Sequence, residues 1–93
     1  MRPMEDLDQI RKEDCRAEVL DALYHRKQGA HRADTIFSVF LRRSDYKRDE
    51  VNDALTTLER QHLVESAFET PTSAVKVWQI TGEGITAKER RKA

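Results

Sequence analysis

SDYKRDEVNDALTTLERQHLV, residues 44–64, is the stretch from which the rest of the chain is read. Val51, Leu55 and Leu58 stand at i, i+4 and i+7 with Ala54 beside them, so they share one face of a helix, while Arg48, Asn52, Thr56 and Arg60 point elsewhere. The spacing predicts an amphipathic helix over about residues 46–62. With Lys47 or a neighbour as its cap, Asp49 and Glu50 fall in the first turn. Carboxylates there meet unpaired backbone N–H groups and gain roughly 0.3–1 kcal/mol each. Leu63 and Val64 then continue at a spacing that suits a strand, so the helix passes directly into a β-hairpin.

Upstream, Asp14 is a candidate N-cap, and Cys15, Val19 and Leu23 repeat at i, i+4 and i+8 with Leu20 and Tyr24 alongside. This first helix is expected to end near Lys27 or Gln28, with Gly29 in a left-handed capping position. Residues 30–33, AHRA, form a connector, after which Ala33, Ile36, Phe37, Phe40 and Leu41 trace a second helix with Asp34 in its first turn and Arg42 and Arg43 in its last. Residues 1–13 carry only Met4, Leu7 and Ile10 as apolar anchors and read as an extension, either a loosely packed terminus or a dimerisation element. Downstream, Val64 and Phe68 share a face, TPTS with Pro71 makes a turn, and Val75 and Val77 alternate with Trp78 and Ile80 in a second strand. Trp78 is expected in the core. Thr81 caps a last short helix, in which Gly82 and Gly84 each cost about 1 kcal/mol if interior.

The domain plan is therefore an extension over 1–13, one folded domain over 14–84 and a basic helical tail over 85–93. With 38% hydrophobic and 37% charged residues, 93 residues suffice for a single domain with a modest core. No apolar run approaches the roughly 20 residues of a membrane span, and the start MRPMEDLD lacks the basic-then-apolar layout of a signal peptide, so a cytoplasmic protein without membrane contact is expected. The single cysteine, Cys15, gives no internal disulfide and sits where a helix stripe takes a small hydrophobe. Net charge is zero, which argues against binding polyanions by bulk charge. The distribution is uneven, however: Tyr24 to Arg48 holds seven basic against two acidic residues, Asp49 to Arg60 one against four, and the last ten residues four against one.

The run EVNDALTTLERQHLV, residues 50–64, resembles the motif of winged helix-turn-helix DNA-binding proteins of the bacterial or phage transcriptional-regulator type, in which a Val, a Leu, a second Leu and a terminal Gly-Leu-Val or Gly-Leu-Ile recur. VWQITGEG, residues 77–84, is similar to the second half of that pattern, where an aromatic residue, Ile, Thr and Gly close the wing. With the two preceding helices the resemblance covers roughly residues 14–84. One departure stands out: His62 occupies the position usually held by Gly, so the turn there falls to a residue that tolerates unusual backbone angles less easily.

The resemblance implies an α+β, mainly α, fold: three helices, a two-stranded or three-stranded antiparallel wing and a short C-terminal helix. It implies sequence-specific binding of double-stranded DNA by a small transcriptional regulator acting as a homodimer, with the third helix in the major groove and the hairpin over residues 63–80 as the wing. Carried over residue by residue, Arg48, Asn52, Thr56 and Arg60 are the candidate base contacts, Arg42, Arg43 and Lys47 the phosphate contacts before the helix, Arg32 a contact near the second helix, and Lys76 the wing's cation. Asp49, Glu50 and Asp53 on the same helix, and a wing with Lys76 set against Glu69, point to the competing reading, a winged-helix module that binds a protein partner in a larger assembly. No catalytic motif is present, and His25, His31 and His62 lack partners at ligand spacing, so neither an enzyme nor a metal or other cofactor is expected.

Overall fold

The computed structural model describes residues 3–92, with side chains for residues 7–90. Helix α1 (Pro3–His25) leads to a two-residue strand β1 (His31–Arg32), a helical turn α2 (Ala33–Thr35) that continues as a π-helical segment (Ile36–Phe40), helix α3 (Arg48–Arg60), strands β2 (Val64–Phe68) and β3 (Lys76–Ile80), and helix α4 (Gly82–Lys92). The strands form one antiparallel sheet in the order β1-β3-β2. His31 pairs with Trp78, and Val64, Ser66 and Phe68 pair with Ile80, Trp78 and Lys76.

The amphipathic stripe of α3 goes where its spacing requires. Val51, Ala54, Leu55 and Leu58 are buried against Cys15, Val19, Leu20, Ala22 and Leu23 of α1, with Ile36, Leu41, Val64, Trp78 and Ile80 closing the core. Truncating a fully buried leucine here, such as Leu55, would cost about 2–5 kcal/mol. Cys15 lies in this core, donating its Sγ–H to the Glu50 carbonyl at 3.5 Å, and burial pushes its thiol up to about 11. The stripe of the second helix is also buried or half-buried, but the backbone widens there: Leu41 N–H reaches back to the Ile36 carbonyl at 3.0 Å, the five-residue spacing of a π turn.

Two expectations about α1 are corrected. The helix does not start at Asp14, which lies in its interior; residues 3–13 continue it without a break, consistent with the absence of Gly or Pro between Met4 and His25 and with Pro3 at a first helical position. Met4 lies outside the described side chains, while Leu7 and Ile10 are 65% and 52% exposed. At the other end the helix stops at His25, and Gly29 has no positive φ, so no left-handed glycine cap forms. The third helix is also shorter at both ends than the 46–62 expected, and the connector AHRA supplies the third strand.

Arg11 ties the added length of α1 to the start of α3. Arg11 forks onto Glu50, Nε to Oε2 at 2.6 Å and Nη2 to Oε1 at 3.0 Å, and Nη2 also donates to the Asp45 carbonyl at 3.1 Å. Glu50 Oε1 accepts the Lys47 backbone N–H at 2.8 Å, the carboxylate half of a capping box on α3. Lys47, the cap residue, has no side-chain acceptor to return the bond. These bonds, first the one from Arg11 and then the one from Lys47 N–H, hold the Glu50 carboxyl well below the ordinary range, at about 2.

Helix α3 ends in a Schellman motif built on His62. Its φ is 64°, the left-handed region; His62 N–H donates to the Glu59 carbonyl and Leu63 N–H to the Leu58 carbonyl, both at 3.0 Å. The Thr81 hydroxyl then donates to the His62 carbonyl at 2.7 Å and accepts the Gly84 N–H at 3.0 Å, so the end of α3 and the start of α4 share one cap, as Thr81 was expected to provide. Gly84 is required by contact: a Cβ there would meet the Leu63 carbonyl oxygen inside van der Waals distance and lie 2.7 Å from Ile80 Cγ1.

His62→Gly is expected to raise the melting temperature by a few degrees, since relief of a left-handed side chain, about 1–2 kcal/mol, exceeds the added entropy of glycine in the unfolded chain, about 0.5–1 kcal/mol. Gly84→Ala should instead lower stability by about 1–3 kcal/mol, because backbone has to move. Thermal melts that rank these two variants in the reverse order would contradict the geometry. A third expectation concerns pH. The folded chain holds the Glu50 proton less tightly than the unfolded chain, so the stabilisation is complete above about 4.5 and is lost as pH falls toward about 2. Across that window the melting temperature of wild type should fall more steeply than that of Arg11→Met; parallel curves would show that the Arg11 contact does not set the Glu50 carboxyl.

Candidate nucleic-acid interface

The outward face of α3 carries Asp49, Asn52, Asp53, Thr56 and Arg60, all exposed. Asn52 and Thr56 lie one turn apart, and the Thr56 hydroxyl is drawn back onto the Asn52 carbonyl at 3.0 Å, which leaves the Asn52 amide as the long polar group between them. Glu50, which shares the helix but not this face, is turned toward α1 by Arg11 and the Lys47 N–H. One of the three carboxylates that weighed against phosphate binding is thereby accounted for.

Arg48 stands at the first position of α3, and its Nη1 meets Asp34 Oδ1 at 2.5 Å across the gap to α2. Its guanidinium lies 4.9 Å from the centre of the Phe37 ring, so an aromatic face and a carboxylate fix its orientation together. Two residues before Asp34, Arg32 forks onto Glu69 at the far end of β2, through Nε at 2.6 Å and Nη2 at 2.5 Å. Each partner shifts the other: the fork raises the arginine further and holds Glu69 below the ordinary carboxylate range. Arg32 and Asp34 thus stand side by side at the start of α2, one held to the tip end of the hairpin and the other to the start of α3.

The other candidates fall into separate surroundings. Arg42 and Arg43 are exposed after the π-helical segment and border a cavity of about 350 Å³ with Glu18, Asp21 and His25 of α1 and Arg26 just beyond it. Arg60 lies at the rim of a groove of about 320 Å³ between α1 and α3, where Lys12, Arg16 and Asp53 are its neighbours. Lys47 is exposed as the cap of α3, and Lys76 is exposed on β3 opposite Phe68, its Nζ 6.0 Å from the Trp78 ring centre. Phe68, expected to share an inward face with Val64, is 59% exposed because the strand runs past the end of the core, whereas Trp78 is buried as expected.

The carboxylate partners Asp34 and Glu69 were not legible as such in the sequence. They lie 14 and 37 positions from the arginines they hold, beyond any helical or hairpin spacing. Among the described residues no group of three or more His, Cys, Asp or Glu is gathered closely enough to hold a metal ion, and no helix is long and apolar enough to cross a membrane.

No family model matches the chain, and no curated protein matches it. Solved structures do. The chain superimposes on the Staphylococcus aureus MepR–DNA complex with a TM-score of 0.68 at 18% identity, covering 97% of this chain and 77% of that one. A single-residue mutant of MepR from a multidrug-resistant S. aureus clinical isolate gives a TM-score of 0.68 at 20% identity over 92% of this chain, which spans 59% of that protein's length. A PadR family transcription regulator from hypervirulent Clostridium difficile gives 0.64 at 19% identity, covering 83% of this chain and 84% of that one. At these identities the likeness is one of fold: four helices and a three-stranded antiparallel sheet in the mainly helical, winged-helix arrangement of transcription regulators.

Proposed function

We propose that the chain binds double-stranded DNA sequence-specifically as a small transcriptional regulator, with α3 in the major groove and the β2–β3 hairpin as the wing. The observation that carries this reading is the division of α3: its stripe is fully committed to the core, and Asn52 and Thr56 are left exposed on a helix that begins at the basic residues Lys47 and Arg48 and leads in the chain to the hairpin that carries Lys76. The likeness to a fold captured on DNA in MepR supports it. In this reading Asn52 reads a base edge, with Arg48 and Arg60 as further base contacts, Thr56 packs beside it, and Arg32, Arg42, Arg43, Lys47 and Lys76 meet the backbone. The active form is a homodimer joined through α1 and α4, a role supported by the exposed Leu7 and Ile10 on the added length of α1.

A second reading keeps a specific observation on its side. Asp49 and Asp53 share the exposed face of α3 and make no ion pair among the described residues, which suits a basic protein partner better than phosphate.

Titration of a mixed-sequence duplex across salt concentrations separates the two. DNA binding predicts sub-micromolar affinity at low salt with a steep dependence on salt, a slope reduced by about 2 when Arg42 and Arg43 are both replaced by Ala, and loss of sequence preference with Asn52→Ala. Absence of duplex binding at low salt would leave the protein-partner reading in possession of the face.

A further inference from the structure

Two of the candidate phosphate or base contacts are already paired with a carboxylate, and the two pairs are built differently. Arg32 gives two nitrogens to Glu69 in a fork, the geometry of a brace. Arg48 gives Asp34 a single nitrogen, Nη1; both side chains are more than half exposed, and the ring of Phe37 holds the guanidinium plane. A single contact in high dielectric is weak and exchangeable. Asp34, moreover, does not need Arg48 to be satisfied, since it is solvated and lies in the first turn of α2.

We propose that Asp34 is a specificity-determining positioning residue that works through Arg48: its carboxylate occupies the guanidinium in the free protein, so DNA has to displace it, by a phosphate on a non-target sequence or by a guanine edge at the target, before Arg48 can bind. The inference rests on the DNA-binding reading above. On an arbitrary sequence the exchange replaces one anion by another and adds little to affinity. At a site where the guanidinium meets a guanine edge through two nitrogens, the single bond to Asp34 is outcompeted. The Phe37 ring keeps the guanidinium oriented while its anion changes. Asp34 therefore suppresses binding to non-target DNA more than binding to target.

The test is Asp34→Asn, with the full chain and a mixed-sequence duplex across a salt series, beside a duplex that the wild-type chain selects from a random-sequence pool, whose advantage over the mixed duplex should shrink in the variant. Affinity at low salt should rise at least about threefold, and the plot of log K against log salt should steepen by about 1, the signature of one more cation released to phosphate. In an Arg48→Ala background the same substitution should leave the slope unchanged. Unchanged or weaker binding by Asp34→Asn, or a steeper slope that persists without Arg48, would overturn the proposal. If wild type and variants alike bind no duplex at low salt, the DNA-binding reading itself falls and this proposal with it. Asp34 and Arg48 are both exposed, and matching circular-dichroism melts show that the variants are folded.

Discussion

Burial of one stripe of α3 against α1 orients everything else in this protein. Val51, Ala54, Leu55 and Leu58 can reach the core only in one rotation of the helix, and that rotation decides which residues are left facing out. It aims the helix N-terminus at α2 and the π-helical segment, where Asp34 and Phe37 receive Arg48, and it delivers the C-terminus to the His62 turn that launches β2. Each of those consequences involves contacts that are weaker than the stripe itself. The core supplies the orientation, and the polar contacts refine it.

The refinements all concern the two ends of α3. At the start, Glu50 joins the helix to α1 through Arg11 while capping it through the Lys47 N–H, so one carboxylate connects three segments. At the end, a left-handed His62 and the doubly used Thr81 hydroxyl turn the chain into the sheet and then into α4. A helix fixed at both ends and along one side is a rigid platform for its remaining face, which is what recognition of a groove requires.

How much of this could be read from the residues follows from the range of the interactions. The α3 stripe, the cap at Thr81, the strained position of His62 and the burial of Cys15 and Trp78 are set by neighbours within a few positions or by alternation along one strand, and all were legible. The start of α1 was misplaced because Asp14 carries a genuine capping signal that an unbroken run of helix-tolerant residues overrides, with Arg11 fastened to Glu50 39 positions away. The π turn at Ile36–Phe40 has no signature in the apolar spacing, since the same residues are buried with or without it. For the candidate site, residue types and faces were readable, whereas the pairing of Arg32 and Arg48 with Glu69 and Asp34 was not, because it depends on how the hairpin and α3 each come up against α2.

That division bears directly on function. The acidic residues that made α3 ambiguous are not equivalent: Glu50 is taken up by the fold, whereas Asp49 and Asp53 remain on the open face. The most direct measurement of whether that face meets DNA is a map of backbone amide chemical shifts in the isotopically labelled protein as a duplex is added at low salt. DNA recognition through α3 and the wing predicts shifts concentrated at Asn52, Thr56 and their α3 neighbours and at Phe68 and Lys76, with α4 largely silent. Shifts confined to α1 and α4, or none at all, would contradict it.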